Sequence, residues 1–160
     1  MRSISISTPL DCSADDAFDA LGSIQTFVHV ARGAIRFPAA ERVREPLAVG
    51  DEIVGWTFLL GVVPLTRHTL GIVRLDPAER VLVSNESGGF VRRWDHTIST
   101  TPTPDGCRYE DRIDIDAGIL TPVVVAFAHA FYRYRQFRWR RLAPVLRGAS
   151  QVRAAAVAVA

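Results

Sequence analysis

The chain has no lysine: all 19 of its basic side chains are arginine. Schiff-base chemistry and any other catalysis by a lysine amine are thereby excluded. It has only two cysteines, Cys12 and Cys107, neither in a CxxC pair nor beside a histidine cluster. The sequence therefore signals neither a disulfide scaffold nor a zinc site. The GxSxG, GxGxxG, P-loop and HExxH motifs are all missing, and no metal or cofactor is expected. No apolar run approaches the roughly 18 residues that span a bilayer, and Met1 to Ser7 lacks the apolar stretch of a signal peptide. The expectation is a reduced, cytoplasmic protein with no integral membrane association. Charge of one sign is also scarce: 19 basic groups stand against 17 acidic ones, for a net +2. That is no polyanion-binding signature, and no nucleic-acid partner is expected.

What is present is the composition of an ordinary globular domain, with 48% hydrophobic and 22% charged residues in 160. A core can form at this length without metals or disulfides. Ile4 and Ile6 alternate with serines in an opening strand. Ser13 and Ser23 are positioned to cap two short helices, the first with Asp15 and Asp16 in its opening turn. The apolar period then changes to two, in strand-like runs at about 34 to 45, 51 to 60, 65 to 75, 80 to 86, 90 to 101 and 107 to 116. The separators are short, which forces antiparallel neighbours. From about Leu120 to Leu146 the spacing turns helical, with Leu120, Val123, Val124, Phe127, Phe131, Tyr134, Leu142 and Val145 in one stripe. Thr121-Pro122 suits the start of that helix, and Pro144 is expected to kink or end it. Residues 1–147 read as a single domain and 148–160 as a frayed Ala/Val-rich tail.

Residues opposite each other in an antiparallel pair share a face, so turn positions fix which side chains point inward. Turns at Asp76 to Glu79, Gly88-Gly89 and Pro102 to Asp105 place Leu70, Ile72, Val81, Val83, Phe90, Trp94, Ile98, Tyr109, Ile113 and Ile115 on one covered face. His68, Asn85, Arg92, His96 and Asp111 fall on that same face. His96 stands opposite Asp111 in this register. Polar groups inside must be satisfied. They do so either mutually, with His96 and Asp111 as an ion pair, or by orienting a ligand in a partly apolar cavity. In the strand at 51 to 60 the alternation groups Trp56 and Phe58 as core or cavity residues, with the register left open by the loop Gly61 to Pro64. Arg138 lies on the helix stripe, as a cavity residue or a snorkelling end. Arg133, Arg140 and Arg147 form a solvated face. The apolar loop Leu59 to Leu65 serves either as a cavity rim or as a dimer contact, so a monomer and a homodimer stay equally open.

This element order, Val49-Gly50-Asp51 leading into a strand, Trp94-x-His96, Gly106-x-x-Tyr109-x-Asp111 and an aromatic, Arg-rich terminal helix resemble the START-like, or SRPBCC, superfamily. Within it the likeness is to polyketide cyclase/dehydrase and coenzyme-Q-binding domains, over about residues 3 to 147. The resemblance implies an α+β helix-grip fold: a curved antiparallel sheet of six to seven strands wrapped around the long C-terminal helix, with two short helices after the first strand. It implies a cavity lined by Trp94, His96, Tyr109 and Asp111 from the sheet and by Phe127, Phe131 and Tyr134 from the helix. Members bind lipids, quinones or polyketides, and a minority are enzymes. The leading expectation is a binder or carrier of a hydrophobic small molecule. The alternatives are a cyclase or dehydratase using His96 and Asp111 as acid/base, and a protein-interaction module.

Overall fold

A computed structural model describes residues 1–43 and 46–159. The elements are β1 (Arg2–Leu10), α1 (Ala14–Leu21), α2 (Ile24–Ala31), β2 (Ile35–Arg36), β3 (Glu52–Leu59), β4 (Val63–Asp76), β5 (Val81–Gly88), β6 (Val91–Thr103), β7 (Gly106–Asp116) and α3 (Thr121–Val159). The strands form one antiparallel sheet in the order β1-β7-β6-β5-β4-β3-β2, with α3 packed across it. This is the helix-grip arrangement. Among the described residues no helix is long and apolar enough to cross a membrane, and no cluster of metal-binding side chains occurs.

Both short helices start where side-chain oxygens can meet free backbone amides. Ser13 accepts from the Asp16 amide at 3.0 Å and Ser23 from the Thr26 amide at 3.4 Å. The expected strand at 34 to 45 shrinks to Ile35–Arg36, because Pro38 lacks a ladder N–H and the chain turns at Ala40–Arg42, where Phe37 and Ala40 are buried. Its last two residues, Arg44 and Glu45, lie outside the described residues. Pro144 lies inside α3 and does not end it. The expected tail continues α3 as helix to Val159, with Ala160 outside the described residues.

Two irregularities reset the register of β5 against its neighbours. Val73 is skipped in the β4–β5 pairing, so Ile72 stands opposite Ser84 and Arg74 opposite Val83. A bulge inserts one residue and flips the parity that follows. A second shift between Glu86 and Gly88 pairs Glu86 with Trp94. The inward face of β5 is therefore Leu82, Ser84 and Glu86, while Asn85 is exposed. The β6–β7 hairpin closes at Thr103 and Gly106, one residue later than the turn residues suggest, so the pairing slips by two, with His96 opposite Ile113 and Ile98 opposite Asp111. A shift of two preserves parity. Trp94, His96, Ile98, Tyr109, Asp111, Ile113 and Ile115 consequently all remain inside.

Among the described residues the core has three apolar clusters. One joins α1, β6, β7 and the distal part of α3 through Phe18, Ile98, Tyr109 and Trp139. A second joins β1, β6 and β7 to proximal α3 through Ile6, Trp94, Ile113, Val124 and Tyr132. The third packs α2 and Phe37 on β3 and β4. Between the second and third, sheet and helix part.

Candidate functional site

That gap is a cavity of about 360 Å³. Its walls are apolar: Phe27 from α2, Phe37, Leu65 from β4, Phe90, Trp94 from β6, and Val124, Phe127 and Phe131 from α3. The rings of Phe127 and Phe131 lie nearly parallel with centroids 6.1 Å apart. Trp94 is fixed in the wall by its indole N–H, which donates to the Tyr132 hydroxyl at 3.1 Å.

The polar groups gather on one side. His68 Nε2 and Glu86 Oε2 are 2.9 Å apart, and both residues line the cavity. Ser84 donates to Glu86 Oε1 at 3.1 Å, and His96 Nδ1 lies 3.7 Å from the same oxygen. Burial opposes charge on Glu86, but the hydrogen bond with His68 and the nearby His96 imidazole outweigh it and hold its pKa well below the usual carboxylate range. Behind Glu86 a pocket of about 40 Å³ is lined by Ser84, His96, Arg135 and Trp139.

Asp111 closes this system from below, with its side chain fully buried. One carboxylate oxygen accepts from His96 Nε2 at 2.9 Å and from the Tyr109 hydroxyl at 3.1 Å. The other accepts from Gln136 Nε2 at 3.0 Å, and the Gln136 amide also donates to the Ile6 carbonyl at 2.7 Å. Burial works against charge on both His96 and Asp111. The mutual bond prevails, raising the His96 pKa and lowering that of Asp111. Burial also pushes the Tyr109 and Tyr132 phenols well above their ordinary value, so both stay neutral, Tyr109 donating to Asp111 and Tyr132 accepting from Trp94.

Arg135 is 3% exposed and lines both the cavity and the pocket behind it. Its guanidinium lies 5.1 Å from the Tyr132 ring centre and 5.8 Å from those of Phe27 and Phe131. Its Nε has no hydrogen-bond partner among the described residues.

Of the residues expected from the sequence, His68, Trp94, Phe127 and Phe131 line the cavity and His96 lines the inner pocket. Tyr109 and Asp111 lie one layer deeper, holding His96 without facing the cavity. Six others are elsewhere. Trp56 is 55% exposed, because the inward parity of β3 is Ile53, Gly55 and Thr57. Phe58 follows an irregularity between Thr57 and Phe58, pairs with Arg36 and Pro64, and is not among the cavity-lining residues. Asn85 is turned out by the Val73 bulge, and Arg92 is exposed at the sheet end near Gly118. Tyr134 donates to the Arg32 carbonyl at 2.7 Å and Arg138 to the His29 carbonyl at 3.1 Å, so both tie α3 to α2 outside the cavity.

Sequence reasoning missed Glu86, Tyr132, Arg135 and Gln136. The buried row of α3 is Val124, Ala128, Tyr132, Arg135, Gln136, Trp139 and Ala143, rotated from the expected stripe, whose members Val123 and Val145 are exposed. The signal lay in the four- and seven-residue spacing of Val124, Ala128, Tyr132, Trp139 and Ala143, which the polar Arg135 and Gln136 obscure.

Residues 34–144 match the family described as a domain of unknown function, DUF8410. No curated protein matches the chain. Among solved structures, protein CV1439 from Chromobacterium violaceum superposes with a TM-score of 0.70 at 10% identity, covering 89% of this chain and 98% of its own. Norcoclaurine synthase from Thalictrum flavum, in complex with dopamine and hydroxybenzaldehyde, gives 0.63 at 13% identity, covering 88% and 85%. The AHSA1-like protein from Aeromonas hydrophila gives 0.61 at 13%, covering 88% and 90%. Likenesses at such low identity establish the fold alone, the helix-grip arrangement.

Proposed function

This chain belongs to the DUF8410 family, and we propose that its helix-grip cavity binds and carries a hydrophobic small molecule of lipid, quinone or polyketide-like character. The observation that carries the proposal is the cavity itself, about 360 Å³ with walls of Phe27, Phe37, Trp94, Phe127 and Phe131 and a polar edge at His68 and Glu86. Small-molecule sites have this composition: mostly apolar walls that supply affinity and a few polar groups that set orientation. The volume falls at the lower end of the usual range of about 300 to 1,000 Å³. That the same fold holds aromatic compounds in norcoclaurine synthase adds support. The carrier is proposed to be a cytoplasmic monomer or homodimer built on residues 1–147, with 148–160 as an appendage and no nucleic-acid partner.

An enzymatic role is the second reading, and one observation favours it. The His68–Glu86 pair lies on the cavity wall, within reach of a bound ligand, as proton transfer requires. Acid/base work by His96 and Asp111 is less favoured, since Asp111 saturates one imidazole nitrogen and Glu86 approaches the other. Native mass spectrometry of the purified protein tests the carrier. A small-molecule mass excess that disappears on denaturation and is reduced in Phe131→Ala is expected. An unliganded mass, together with no uptake of any hydrophobic probe, overturns it.

A further inference from the structure

The guanidinium of Arg135 is the group that the described contacts leave unexplained. It projects from the buried row of α3 at the boundary between the main cavity and the pocket behind Glu86. None of the ion pairs among the described residues includes it. Its Nε is buried and unpartnered. A buried charge without a hydrogen-bonded counter-ion is strongly unfavourable, and the three surrounding rings offset only part of that. Rings attract the cation through their faces, but they supply no acceptor for the in-plane N–H fork, which matches a carboxylate bidentately.

The two nearby carboxylates are committed elsewhere. Asp111 accepts from His96, Tyr109 and Gln136, and Glu86 accepts from Ser84 and is paired with His68, with His96 Nδ1 at 3.7 Å. The fields of Asp111 and Glu86 act on Arg135 only through space. Glu86 shares the cavity, but its carboxylate oxygens are turned toward His68 Nε2 of β4, at 2.9 Å, and His96 Nδ1 of β6, at 3.7 Å.

We infer that the cavity selects a hydrophobic molecule bearing one carboxylate-like anionic group, which Arg135 binds through the in-plane N–H donors at its guanidinium edge while Phe27, Phe131 and Trp94 hold the apolar body. The inference rests on the proposed binding function and names the class of its ligand. The anion enters head first, because Arg135 lies at the inner end and the exposed Phe90, Val123 and Phe127 at the outer end of the lining.

Isothermal titration with 1-naphthylacetate and its neutral near-isostere 1-naphthylacetamide tests it, on the full chain and on Arg135→Met. The acid is expected to bind the wild type about tenfold or more tightly than the amide, the scale of a charge-assisted hydrogen bond. That preference should vanish in Arg135→Met. Equal affinities in the wild type overturn the anion assignment and leave the cavity reading standing. A preference that persists in Arg135→Met overturns the role of Arg135. If the wild type binds neither probe at millimolar concentration, the cavity reading fails and takes the inference with it. The wild-type comparison decides even if the variant does not fold.

Discussion

His96 and Asp111 are bonded along a diagonal of the sheet: His96 stands opposite Ile113 and Asp111 opposite Ile98, yet His96 Nε2 and Asp111 Oδ1 are 2.9 Å apart. A diagonal neighbour on the same face lies within reach of a long side chain. The diagonal brings Tyr109, two residues along β7, to the same oxygen and leaves the other oxygen for Gln136 of α3. One carboxylate thus ties β6, β7 and the helix together.

Removing that carboxylate should be severe. Asp111→Ala strands three buried donors, including an imidazole whose charge the carboxylate sustains, and is expected to cost about 3–5 kcal/mol. Asp111→Asn keeps shape and partial acceptance and should cost less. Urea unfolding monitored by circular dichroism measures both, and an Asp111→Ala protein as stable as wild type would refute the network's role.

The same pair sets a pH dependence. The folded His96 pKa is raised above its ordinary 6.5, so its contribution is fully present below that pH and is lost as pH rises through the folded value. The folded Asp111 pKa is lowered below 3.8, so its contribution is present above that pH and is lost as pH falls through the folded value. Glu86 behaves as Asp111 does. The pair therefore stabilises most between about pH 4 and 6.5. The stability difference between wild type and His96→Gln should be larger near pH 5.5 than near pH 9, and a difference independent of pH would contradict the assignment.

Most of the fold could be read from the chain, because caps at Ser13 and Ser23, strand alternation and the helical spacing after Thr121 are local signals. The site was readable only in part. On β6 and β7 the inward set survived because the pairing slipped by two residues, which leaves parity intact. On β5 it did not, since the Val73 bulge flips parity and local sequence carries no mark of it; Glu86 was thereby exchanged for Asn85. On α3 the buried row combines small alanines with Arg135 and Gln136 and is less apolar than its neighbour, Phe127, Phe131 and Tyr134. Polar residues that serve a cavity dilute the pattern that would reveal it.

The turn between β6 and β7 offers a backbone test. Gly106 has φ +144°, a conformation that L side chains rarely adopt, and a Cβ there would lie 2.3 Å from the Leu10 carbonyl oxygen. That oxygen belongs to β1 backbone, which cannot yield without disturbing its pairing with β7. Gly106→Ala is expected to destabilise by roughly 2 kcal/mol or more, whereas Gly148→Ala, with open space around the position, should be neutral or slightly stabilising. Thermal unfolding of the two variants separates them.

Trp56 and Trp94 give the sharpest test of which sheet face holds the site. Trp94 is 8% exposed, forms part of the cavity wall and donates to Tyr132. Trp56 lies on the outer face, more than half exposed. Trp94→Ala should cost about 3–5 kcal/mol, as large aromatic truncations in cores do. Trp94→Phe keeps most of the wall and loses only the donor to Tyr132, for about 1 kcal/mol. Trp56→Ala should fall within about 1 kcal/mol of wild type, as surface changes usually do. Fluorescence adds a functional arm. Binding of a hydrophobic probe should alter tryptophan emission in Trp56→Phe as it does in wild type, and the response should largely disappear in Trp94→Phe. A response that instead follows Trp56 would place the ligand on the opposite face of the sheet and remove the cavity from the functional account.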